Sequence, residues 1–251
     1  MGTTPFYQDP NFYMAITSII AIFLSLRPDF KKFRKAKLDL DLYNMIWVTH
    51  MVGNPIIQMS LIIKNIGGRN ISIENINVEL TRDREPLIKL PLQHYYDKPT
   101  DKETILFKKF TLIPNEEWNH HSKFLNFFKR DDSIIFKESD RKLKNEIQRL
   151  KQLPENLNQQ SLISTNEHFA EPFKKLFDKH FIWKEGNYTL TINIQTEGNI
   201  ANISKSFSFT IFKALETEFI EDKSKYSSGD RIFWYSDSYY GEWIELEEKG
   251  N

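Results

Sequence analysis

Beyond residue 37 the chain is governed by alternation of apolar and polar positions. Leu38, Leu40 and Leu42 alternate with Asp39 and Asp41, the pattern of a half-buried strand. Ile57, Met59, Leu61 and Ile63 alternate with Gln58, Ser60 and Lys64, and Asn65-Ile66-Gly67-Gly68-Arg69 then reads as a turn. Ile71 and Ile73 share one phase, whereas Ile76, Val78 and Leu80 share the other. A slip of one residue would turn the apolar face outward, so a β-bulge or a crossing between sheets is expected at Glu74-Asn75. The same slip recurs at Lys108-Lys109, between Ile105/Phe107 and Phe110/Leu112. Leu87–Leu92, interrupted by Pro91, reads as a short edge strand. The cleanest alternations are Tyr188, Leu190, Ile192, Ile194 and then Phe207, Phe209, Ile211, joined as a hairpin by the polar Thr196–Asn202.

A helical period replaces the alternation in a long insertion, residues 114–184. Pro114 ends a strand, Asn115 makes a turn and Trp118 returns to the core, leaving His120, His121, Ser122 and Lys123 as a mostly solvated segment. Ser139–Leu153 reads as a charged helix with Leu143, Ile147 and Leu150 on one face, stopped by Pro154. Glu167–Phe181 carries Phe169, Phe173 and Phe177 four apart, with Pro172 either in its first turn or kinking it. Both stripes are packing faces.

At the start, Phe12–Leu26 contains no charge and shows no polar stripe. Asp9 and Pro10 suit a helix start. Pro10–Leu26 would span roughly 25 Å against a hydrocarbon core of about 30 Å. A single transmembrane helix is expected, with a core or oligomer helix and a cleaved signal as the competing readings. Residues 27–37 then hold Arg27, Lys31, Lys32, Arg34, Lys35 and Lys37 against Asp29 alone, a net charge of +5. The positive flank places the N-terminus outside and the bulk of the chain at the cytoplasmic side of the inner membrane. Phe12, Ile16, Ile20 and Phe23 would meet lipid, and Arg27, Lys31, Lys32, Arg34 and Lys35 anionic headgroups. Ser18, Ala21 and Ser25 fall on roughly one helix face, where a second copy would approach.

The expected organisation is therefore a tail and transmembrane helix (1–27), a basic linker (28–37) and a mainly β domain, an antiparallel immunoglobulin-like β-sandwich with a helical insertion (38–212). An acidic, aromatic C-terminal segment (213–251) follows, with a net charge of −5 and a helix around Leu215 and Phe219. Within it Tyr226, Arg231, Trp234, Tyr235, Tyr239, Tyr240 and Trp243 form the candidate binding surface, a place to stack, clasp a cation or dock a peptide. The alternative is that Trp234 and Trp243 cover an open sheet edge.

Composition narrows the chemistry. The 251 residues balance 34 cations against 34 anions, which argues against a generally basic nucleic-acid binder. No cysteine is present, so disulfides, thiolate metal sites and cysteine nucleophiles are excluded. The phosphate-cradling glycine loops, HExxH and GxSxG are missing, and no cofactor is implied. The nearest metal-like spacing is His168 and Glu171, on one face of a helical stretch; adjacent His120 and His121 would point to opposite sides of a strand.

Lys64-Asn65-Ile66-Gly67-Gly68-Arg69-Asn70-Ile71 and Gly186-Asn187-Tyr188-Thr189-Leu190 resemble turn-and-strand signatures of uncharacterised bacterial single-span membrane proteins with a cytoplasmic immunoglobulin-like domain. In such sandwiches a tyrosine placed like Tyr188 forms a corner hydrogen bond. The resemblance carries no catalytic residue. It implies a non-catalytic membrane-anchored module that binds a protein partner or ligand, with lipid and a second copy as further partners. The alternatives are a membrane effector, of the kind found in antiphage systems, whose spans oligomerise, and a metal-dependent hydrolase.

Overall fold

The structure is a computed structural model that describes residues 10–30, 35–98, 100–101, 103–153, 163–232 and 241–248, excepting the side chains of residues 10, 24 and 26–30. Helix α1 (Pro10–Phe30) precedes β1 (Leu38–Leu42), β2 (Met45–Met51), β3 (Asn54–Asn65), β4 (Ile71–Arg82), β5 (Glu85–Tyr96), β6 (Ile105–Leu106), β7 (Phe110–Leu112) and β8 (Glu117–Leu125). Then come α2 (Arg130–Lys151), α3 (Glu171–His180), β9 (Gly186–Thr196), β10 (Ile203–Ile211), α4 (Lys213–Glu221), β11 (Gly241–Glu245) and β12 (Glu247–Glu248).

All the strands join one antiparallel sheet in the order β11-β2-β3-β8-β5-β4-β9-β10-β12, with β1 on β3, β6 on β5 and β7 on β4. Its two ends belong to one short stretch of chain. β11 pairs β2 and β12 pairs β10, on either side of the buried Leu246. Residues 241–248 therefore draw the sheet into a nearly closed barrel, and the Leu246 N–H donates to the Asn44 carbonyl at 2.7 Å. This corrects the expected two-layer sandwich. β5 makes the sheet continuous: residues 85–91 pair β4, and residues 92–96 pair β8.

The expected transmembrane helix is corrected as well. No helix among the described residues is long and apolar enough to cross a membrane. The uncharged run ends at Arg27-Pro28-Asp29, before a hydrocarbon core of about 30 Å would be filled.

The phase slips have structural counterparts. The β4–β9 register shifts between Ile73 and Asn75. At Lys108-Lys109 the chain passes from β6, paired with β5, to β7, paired with β4. Leu87–Leu92 belongs to a strand inside the sheet order, not to its edge. Pro91 is tolerated because β8 begins to pair only at Leu92, so the missing N–H removes no bond on that side. The segment after Trp118 is also not a solvated loop: β8 runs between β3 and β5. Tyr188 makes the corner bond, its hydroxyl 2.7 Å from the Lys184 carbonyl and 2.8 Å from that of Ile182.

Ile57, Met59, Leu61 and Ile63 of β3 face Val78, Leu80, Leu190 and Ile192 in the barrel core. A second apolar cluster caps the β2–β3 turn: Val52, Leu143, Ile147, Phe173, Phe177 and Tyr226. That turn has Val52 at φ 50° and Gly53 at φ 81°. A β-branched residue is strained there, and Val52 is fully buried among the cap's side chains. A Cβ on Gly53 would lie 2.5 Å from the Phe177 carbonyl oxygen, so only glycine allows α3 to sit this close. At the other end, Gly67 admits residues 35–37 in the same way, with Lys35 O 2.6 Å from where its Cβ would be.

Candidate functional site

The expected binding residues divide. Tyr226 is fully buried in the cap and Arg231 is 7% exposed, so both lie beneath the surface. Trp234, Tyr235, Tyr239 and Tyr240 lie outside the described residues. Trp243 is 47% exposed on β11 and packs edge-to-face on Trp47 of β2, directly opposite in the register. It covers the outer face where the last strands close the barrel.

Arg231 belongs to a buried polar cluster that the sequence did not signal. Its Nε is 2.9 Å from Asp222 Oδ1, and Lys225 Nζ reaches the same oxygen at 3.1 Å. His50 Nε2 faces Asp222 Oδ2 at 3.6 Å, and His50 Nδ1 accepts from the Gly53 N–H. The imidazole lies edge-on to Phe177, Phe181 and Phe219. Burial, and then the nearby Arg231 charge, lower the His50 pKa to about 3. Burial raises that of Asp222, against the opposing pull of Arg231 and Lys225. The cluster ties β2 to α3, α4 and the turn after it. His50, Asp222 and Arg231 are all buried, so the cluster holds these elements together from within.

A second histidine sits on the open outer face of the sheet. His121 Nδ1 lies 3.2 Å from Ser60 Oγ, and its Nε2 3.3 Å from Gln58 Oε1. Assigning Nε2–H toward Gln58 leaves Nδ1 to accept from the serine, and burial lowers the ring's pKa. The order resembles a nucleophile, base and orienting group. Ser60 and His121 are direct register partners, and the backbone beside them is engaged in the β3–β8 pairing. His120 points the other way, with Nδ1 3.1 Å from the Tyr96 carbonyl and its ring against Tyr95 and Trp118. His168 is engaged by Asn166, Nδ1 to Oδ1 at 2.9 Å, beside Phe169. Among the described residues no three histidine or acidic side chains are grouped to hold a metal.

α1 presents the residues expected to meet lipid. Tyr13, Met14, Ile16, Ile19, Ile20 and Phe23 are all exposed. Its hydroxyls are turned inward onto the helix: Thr17 donates to Tyr13 and Met14, Ser18 to Met14 and Ser25 to Ile22 carbonyls. The hydroxyls of Thr17, Ser18 and Ser25 are thus satisfied within the helix. Phe12 packs edge-to-face on Tyr13. Lys35 is exposed, the Arg27 side chain is among those excepted, and Lys31, Lys32 and Arg34 lie outside the described residues.

The seam of the barrel contains an open-sided groove of about 680 Å³. Ser208 and Thr210 line it from β10, Ile244, Glu245 and Glu247 from the closing segment, and Asp83 and Arg84 from the β4–β5 turn. Asp83 and Arg84 both have positive φ, 51° and 76°, which turns this hairpin tightly and sets both side chains at the groove. Asp83 Oδ1 accepts from the Asn187 N–H at 3.2 Å. Compared with known proteins, the chain matches no protein-family model and no curated protein.

Proposed function

We propose that the protein is a non-catalytic binding module held at the anionic, cytoplasmic face of the inner membrane, where its barrel meets a protein partner. α1 lies in the headgroup–acyl boundary without crossing, and the basic stretch after it rests on lipid phosphates. The observation that carries this reading is the exposed apolar surface of α1, with the Thr17, Ser18 and Ser25 hydroxyls closed onto the helix's own carbonyls. Such a surface is costly in water and gains free energy in an apolar layer. The net +5 of residues 27–37 adds an attraction of about 1 kcal/mol per cation near an anionic surface.

Vesicle flotation tests it. The full chain should float with phosphatidylcholine vesicles containing phosphatidylglycerol and much less with phosphatidylcholine alone. Ile16→Asp with Ile20→Asp should abolish flotation, and Lys35→Glu with Lys37→Glu should weaken it and make it more sensitive to salt. Recovery of all the protein away from anionic vesicles would overturn the reading. If that protein also sedimented as a dimer that I16D/I20D dissociates, a second copy would replace lipid as the occupant of α1.

A further inference from the structure

The seam opens because β12 pairs β10 only at Phe207 and Ser208, while Gly241–Glu245 pairs β2 instead. Among the described residues, Phe209–Ile211 of β10 pair on one side only, with β9. The groove occupies the space beside that edge. Asp83, Glu245 and Glu247 line it with Arg84; Asp83 is already matched by the Arg82 guanidinium, Nε to Oδ2 at 3.9 Å, so the carboxylates left to a ligand are Glu245 and Glu247. Glu245 and Glu247 make no ion pair among the described residues; Glu245 accepts only from the Asn44 amide, at 3.3 Å. Phe212 stands at the groove, 71% exposed.

We propose that this groove docks an extended cationic segment of a partner protein, which adds to the free edge of β10 as a short extra strand. An unpaired strand edge is a template for main-chain hydrogen bonds, and side pockets select the residues carried by the incoming strand. The spacing matches that geometry. Glu245 and Glu247 are two residues apart around the inward Leu246, and an extended peptide projects every second side chain to the same side. Lysines or arginines at alternate positions would meet the two carboxylates, with Phe212 offering its ring to a third cation. The excess of negative charge disfavours a nucleic-acid strand, which would bring phosphates to the same carboxylates.

This inference rests on reading the barrel as a protein-binding module, but it does not use α1. The probe is a labelled synthetic peptide of alternating lysine and threonine, with the glutamate–threonine peptide as control, titrated into the full chain by fluorescence anisotropy and amide NMR. Saturable binding of the lysine peptide is expected, with shifts at Ser208–Phe212 and Ile244–Glu247. E245Q/E247Q should weaken it about tenfold and reduce its salt dependence. Thr210→Arg, which places a cation in the groove, should abolish binding while the folded spectrum is kept. Equal binding of the glutamate peptide, shifts elsewhere on the barrel, or unchanged affinity in E245Q/E247Q would overturn the proposal. So would a dimer that E245Q/E247Q dissociates, because the groove would then hold a second copy. E245Q/E247Q should leave vesicle flotation intact and I16D/I20D should leave peptide binding intact, so either reading can fail alone.

Discussion

Asp222 holds the Arg231 guanidinium at 2.9 Å in a setting where the two residues are only 2% and 7% exposed. A buried ion pair adds little net stability when compared with an apolar pair, but breaking one half strands the other. Asp222→Ala should therefore cost roughly 3–5 kcal/mol, measured by urea denaturation. Asp222→Leu combined with Arg231→Met should recover much of that loss. Equal costs for the single and double variants would mean that the pair does not act as a unit.

The same cluster makes folding sensitive to acid. The His50 pKa is lowered to about 3 in the folded protein, from an unfolded value near 6.5. The unfolded chain therefore takes up a proton first, and stability present above about pH 6.5 is lost as pH falls toward 3. The loss from His50 alone is roughly 4 kcal/mol across that window. Asp222 acts oppositely: its raised pKa makes the folded state the better proton acceptor above the ordinary carboxylate value, which offsets part of the loss at the acid end. Urea midpoints measured from pH 7 to pH 4 should fall for the native chain and fall less for His50→Gln. Parallel curves would remove His50 from the account.

Closure of the barrel depends on Leu246, the inward residue between β11 and β12. Leu246→Ala should cost about 2–5 kcal/mol. It should also raise amide hydrogen exchange in β2 and β10 more than in the β4–β9 centre. Uniform exchange across the sheet would show that the closing segment is not a separate unit.

Gly53 sets how near α3 approaches the β2–β3 turn. Gly53→Ala demands a left-handed conformation from alanine and puts its Cβ against the Phe177 backbone. It should destabilise the protein by well over 1 kcal/mol and shift NMR signals of α3 and Val52 before those of the β9–β10 hairpin. Tyr188→Phe is milder. Loss of the corner bond should cost about 1–3 kcal/mol and leave the fold intact.

The strands that alternate cleanly were legible, down to the bulge at Ile73/Asn75 and the Tyr188 corner, because one face of each is core. β2 was not, since Val48, Thr49 and His50 are buried in succession where the cap covers the sheet's outer side. β8 hid behind His120, His121 and Ser122: the two histidines find partners across neighbouring strands, and Ser122 donates to the His120 carbonyl of its own strand. Helix α2 begins at Arg130, nine residues before the expected start at Ser139, on a turn led by Asp131 and Asp132. Asp132 is fixed by Lys179 and His180, nearly fifty residues away in sequence. The sandwich expectation failed for a similar reason: closure rests on an acidic stretch that carries one buried apolar residue, Leu246. His50 and Asp222 share no local pattern, and only the folded chain brings them together.

Because residues 241–248 finish the barrel, its completion is set by the clock of synthesis. Asn44 and Glu245, which meet across the closing contact, are 201 residues apart. At roughly 5–20 residues per second, the ribosome makes them about 10–40 s apart. Throughout that interval the nascent sheet has two open borders, the N-terminal side at β2 and later the β10 side. Low-order helical contacts can form as the chain emerges, but this seam cannot. Until residues 241–248 are made, the borders at β2 and β10 lack the partner this segment supplies, and an unpaired border is a template for pairing with another chain.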